Sequence, residues 1–100
     1  MSPPLLLLHV ATTWPLPGLG LLALSDAATP HLSSFPLHTA LAVEARLPDG
    51  TRLSGTATVE EVSRGAQPER ALLLDLAGPT ELPPGTEIWQ LEVMDALALL

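Results

Sequence analysis

Three histidines, His9, His31 and His38, are the side chains here best suited to proton transfer or metal ligation near neutral pH. Their spacing serves neither task. No His-x-His or His-x-x-x-His pair occurs, and no carboxylate stands two or four residues away in a ligand pattern. Ser25-Asp26 and Ser33-Ser34 carry hydroxyls, but no Gly-x-Ser-x-Gly elbow presents one as a nucleophile. Glu60 and Glu61 are adjacent, so within a strand their carboxylates point to opposite faces and cannot act as a pair. The apolar phase changes from Val59 to Val62, which predicts a β-bulge at the two glutamates. With no cysteine there is no thiol nucleophile, no cysteine zinc site and no disulfide. The expectation is a protein that is not an enzyme, with no catalytic residue, metal or cofactor.

Charge narrows the partners. Arg46, Arg52, Arg64 and Arg70 are the only basic side chains apart from histidine, against eleven Asp and Glu, for a formal charge of −7. Nucleic-acid binding draws its non-specific affinity from cations that neutralise phosphates. A broad phosphate-binding face is therefore disfavoured, and so is attraction to an anionic membrane. A small RNA contact through Arg46, Arg52 or Arg64 is the form such binding would take.

The elements that must position these residues are short. Eleven prolines and seven glycines cut the 100 residues into pieces of strand length, few of which could hold a helix of three turns. Six strands are predicted, at 5–14, 19–25, 38–47, 51–62, 70–77 and 86–95, with an irregular connection over 26–37. The clearest unit is a hairpin in which Thr39, Leu41, Val43, Ala45 and Leu47 alternate with smaller or polar residues. Pro48-Asp49-Gly50 supplies a type I turn followed by a glycine of positive φ. Pairing Leu47 with Thr51 sets Ala45 against Leu53, Val43 against Gly55 and Leu41 against Ala57, with all apolar partners on one face. Glu44 then lies opposite Ser54 and diagonal to Arg52. Six antiparallel strands without a covering helix predict a single all-β domain over residues 1–100, a small closed barrel without free edges. Its predicted core is Leu41, Val43, Leu53, Val59, Leu72, Leu74 and Leu91.

No targeting segment is predicted. Leu5 to Leu8 lacks a preceding basic residue and is soon interrupted, and no apolar run approaches the roughly 20 residues of a membrane span. The expected location is the cytoplasm.

The order of the pieces resembles the second domain of elongation factor Tu and related translational GTPases. The resemblance rests on Trp14-Pro15-Leu16-Pro17-Gly18-Leu19-Gly20, which leads into the small-residue apolar strand Leu21 to Leu24. It continues through Thr56 to Val62, Ala71 to Gly78, and Glu81-Leu82-Pro83-Pro84-Gly85 before Thr86 to Trp89, and covers roughly residues 10–92. It implies a translation-protein barrel standing alone. Leu19 replaces the basic residue usual between the two glycines, and Ser33 to Pro36 replaces a glycine-centred turn. No phosphate-binding Gly-x-x-x-x-Gly-Lys motif exists, so the GTPase activity does not carry over.

Two apolar surfaces exceed what one small barrel can cover. Leu5 to Leu8 is apolar on both faces of its strand, Ala96 to Leu100 adds a second run, and Trp14 stands beside prolines. Trp14, Leu5, Leu7, Leu97 and Leu99 are accordingly the candidate interface, to a protein partner or a second copy, unless the 26–37 connection covers the first strand. The functional expectation is a non-enzymatic protein-interaction module. An RNA- or tRNA-associated accessory factor and a small ligand-binding barrel are the alternatives.

Overall fold

The computed structural model describes residues 4–25, 27, 29–65, 67–78 and 81–91, the Arg64 side chain excepted. Seven strands form one antiparallel sheet: β1 (Leu5–His9), β2 (Thr12–Leu16), β3 (Gly20–Leu24), β4 (Ala40–Arg46), β5 (Arg52–Arg64), β6 (Gln67–Leu76) and β7 (Glu87–Gln90). A single helical turn, α1 (Pro30–Ser33), interrupts the 26–37 connection, with Pro30 in its first turn. No helix among the described residues is long and apolar enough to cross a membrane.

The middle hairpin has the expected register, from Ala40 opposite Thr58 to Arg46 opposite Arg52. Leu47 N–H donates to the Thr51 carbonyl at 2.8 Å, and Gly50 N–H donates to the Leu47 carbonyl at 2.9 Å. Gly50 has φ 92°, and the Asp49 carboxylate accepts the Thr51 N–H at 2.9 Å. That backbone hydrogen bond holds the Asp49 carboxyl below its ordinary pKa. Nothing lies within 4 Å of where a Gly50 side chain would begin, so substitution there meets backbone strain alone. Gly50→Val is expected to cost more than about 1 kcal/mol in urea unfolding; a neutral result would contradict the turn geometry.

The sheet is a half-barrel rather than the closed six-stranded barrel expected. Its strand order is β1-β7-β4-β5-β6-β3-β2, so the first two strands of the chain lie at its two edges. The predicted strand 5–14 divides at Val10-Ala11. Before the division the chain pairs with β7 and after it with β3. Val10 N–H donates to Thr86 and Ala11 N–H to Leu24, each at 2.8 Å. The corner thus ties both edges together through a bent chain, without a ladder between β1 and β2. Pro15 continues β2 instead of ending it, because an edge strand tolerates a residue without an N–H. The β5–β6 hairpin also runs further than predicted, to Arg64 opposite Gln67, with Gly65 at φ 77° in the turn. The pairing passes Glu60 and Glu61 without a shift, so the expected bulge is absent.

Two apolar clusters explain the change of phase there. The concave face holds the main core, including Leu8, Leu21, Leu41, Val43, Val59, Leu72, Leu74 and Ile88. Leu53 packs against it half-buried, and Leu91 is also half-buried. On the convex face Leu22, Leu24 and Ala71 form a second cluster with Leu16 and Val62. Val59 serves the first and Val62 the second, as a period of two requires of positions three apart. The same division makes β3 apolar throughout.

Candidate functional site

Among the described residues, the β2–β3 hairpin presents the two most exposed large apolar side chains. Leu19 N–H closes its turn on the Leu16 carbonyl at 2.9 Å, with Gly18 at φ 79°. Leu19 projects from that turn 64% exposed, and Trp14 is 53% exposed. Register sets Trp14 opposite Leu22, so the indole stands beside the convex apolar cluster. Beneath the turn, Pro15 to Gly18 face Leu74 to Leu76 across a groove of about 360 Å³. Prolines, leucines and Asp75 therefore border one concave surface.

The other candidate interface residues lie elsewhere. A register shift between Leu6 and Leu8 turns both Leu7 and Leu8 inward. Leu7 is a core residue and offers no surface, and Leu5 packs half-buried against the same core. The assignment of Leu7 is corrected by the bulge, which frees the strand from strict alternation. The connection supplies the cover: α1 packs on β1, and Leu32 inserts fully buried into the core. A shallow groove of about 430 Å³ remains between Leu6, Pro30, His31 and Trp89. Leu97 and Leu99 fall outside the described residues.

The candidate RNA contacts are occupied by neighbouring carboxylates. Glu44 Oε1 accepts from Arg46 Nε at 2.7 Å and lies 3.7 Å from Arg52 Nη1. The Arg46 guanidinium lies 4.6 Å from the centre of the Trp89 ring, and Trp89 Nε1 donates to Glu87 at 3.1 Å. A phosphate would have to compete with Glu44 for Arg46, while Arg52 stays 64% exposed beside the same carboxylate. The Arg64 side chain lies outside the described residues.

The groups with chemical potential are dispersed. His9 and His31 are exposed on β1 and α1. His38, at φ 70°, contacts Glu60 at 3.1 Å, while Thr58 donates to the same carboxylate at 2.9 Å. Glu61 faces away from Glu60 and toward Arg70. Among the described residues no three metal-ligating side chains gather. Ser25 Oγ accepts the Ala27 N–H at 3.2 Å, and the Ser33 and Ser34 hydroxyls donate to carbonyls of the α1 turn.

Sequence reading passed over Arg70. It opens the inward-facing series Arg70, Leu72, Leu74 on β6, directly opposite Glu61 on β5. Its Nη1 is buried and has no hydrogen-bond partner, and Glu61 Oε2 is 3.8 Å away. An unmet charged donor costs more than the roughly 1–3 kcal/mol of a neutral one. The signal was available: an arginine two residues before a leucine series shares its face. Ser25, Thr29, Ser33, Gln67 and Glu69 complete a pocket of about 650 Å³ around it. Comparison with protein-family models, with curated proteins and with solved structures returns no match.

Proposed function

We propose that this protein is a non-enzymatic interaction module that docks an extended segment of a protein partner on the β2–β3 hairpin. The observation that carries the reading is that one hairpin carries both the exposed Trp14 and Leu19 and, through Pro15 to Gly18, one wall of a proline- and leucine-lined groove. Exposed aromatic side chains beside a concave apolar surface are the usual anchors of protein recognition. The acidity of the chain, and Asp75 at the groove, favour a segment whose apolar residues are flanked by lysine or arginine. The resemblance to the second domain of elongation factor Tu agrees with a domain that works through its surface. The hydrogen bond of Arg46 to Glu44 and the chain's formal charge of −7 weigh against the RNA reading.

Selection from a random peptide library tests the proposal. The expected consensus is apolar with basic flanks, and Trp14→Ala should weaken selected peptides by about 30-fold or more, as for an interface hot spot. Arg46→Gln, on another face, should leave them unchanged. A consensus without basic residues, or affinity indifferent to Trp14, would refute the assignment. Sedimentation at micromolar concentration separates a foreign segment from a second copy of the chain.

A further inference from the structure

We propose that the pocket around Arg70 is a binding site for a small zwitterion of the amino-acid type. The ligand carboxylate pairs with the Arg70 guanidinium and its ammonium group with Glu61. The pocket lies at the opposite end of β6 from the hairpin groove, and stands independently of the interaction surface.

Three observations converge. Arg70 and Glu61 are register partners on two paired strands, so both charges are carried on ladder-held backbone. Arg70 Nη1 is buried without an acceptor, while the nearest carboxylate oxygen, at 3.8 Å, is beyond hydrogen-bond reach. An acceptor is what Nη1 lacks, and a carboxylate drawn into the pocket that Arg70 lines supplies one. The remaining lining is mixed, with Ser25, Thr29, Ser33 and Gln67 beside Ala27 and Pro68 around an opening of about 650 Å³.

Charge selects the ligand class. A phosphate or dicarboxylate would meet Glu61 as well as Arg70, and a simple cation would meet the guanidinium. A molecule carrying one charge of each sign, a few ångströms apart, satisfies both walls.

Titration of the whole chain with L-alanine, L-serine and L-glutamine, followed by amide and arginine Nε–H resonances, provides the test. At least one should give saturable shifts at Ser25, Thr29, Ser33 and Arg70 below ~20 mM. Propionate and propylammonium, each carrying one of the two charges, should bind at least about tenfold more weakly. Arg70→Gln should abolish the shifts while the rest of the spectrum stays native. If that variant does not fold, Glu61→Gln, at an exposed position, should bring the preference for the zwitterion over propionate close to one. No saturable shift with any of the three amino acids overturns the proposal. So does propionate binding as well as they do, or an Arg70→Gln or Glu61→Gln variant that titrates like the native chain.

Discussion

Gly20→Ala is expected to destabilise the protein by more than about 3 kcal/mol, the largest effect of any single methyl added to this chain. Two causes add. Gly20 has φ 129°, a conformation that side chains rarely adopt, and its Cβ would collide with the Leu74 carbonyl. Backbone cannot swing aside as a flexible side chain can. Gly55 presents the same obstacle from the other neighbouring strand, where a Cβ would strike the Asp75 carbonyl. β6 thus passes between two glycines at Leu74-Asp75, and their missing side chains let the sheet curl tightly there. Gly55→Ala, without positive φ, is expected to cost about 1–3 kcal/mol. Urea midpoints at constant m-value measure both. A Gly20→Ala protein as stable as its parent would mean that β3 and β6 do not approach as described.

Leu74→Ala is expected to cost about 2–5 kcal/mol and to lower the melting temperature by at least roughly 8 °C. Leu74 is completely buried on the concave face, between Leu21 of β3 and Ala57 of β5 in the ladder. Removing its branched end leaves a cavity that flanking β-ladders cannot close. A domain of this size has about 5–15 kcal/mol in total, so the loss is a large share. Leu73→Ala, half-buried on the other face, serves as the control and should lose much less. Equal losses at the two positions would contradict the assignment of Leu74 to the concave core.

The local chemistry of the chain was legible without coordinates. Alternation from Thr39 to Leu47, with Pro48-Asp49-Gly50 after it, determined the β4–β5 register, the positive φ of Gly50 and the position of Glu44 beside Arg52. These follow from a period of two and from turn stereochemistry, which are properties of neighbouring residues. The all-β class and five of the seven predicted core residues were readable for the same reason.

Closure was decided only by tertiary structure. Whether Leu5 to Leu16 is one strand or two depends on which distant segments accept its hydrogen bonds, and these prove to be β7 and β3. The inward turn of Leu7 follows from its bulge against β7, and the cover on β1 from Leu32, more than twenty residues away. The phase change at Val62 suggested a bulge because an apolar residue was assumed to face one core; a second cluster on the convex face accounts for it without one. Among candidate contacts, the sequence could identify arginines by type. Their surroundings came from strand pairing, which places Arg46 and Arg52 against Glu44 and leaves Arg70 Nη1 without an acceptor in a pocket. A side chain's type is local; the groups that satisfy it are set by where the rest of the chain passes.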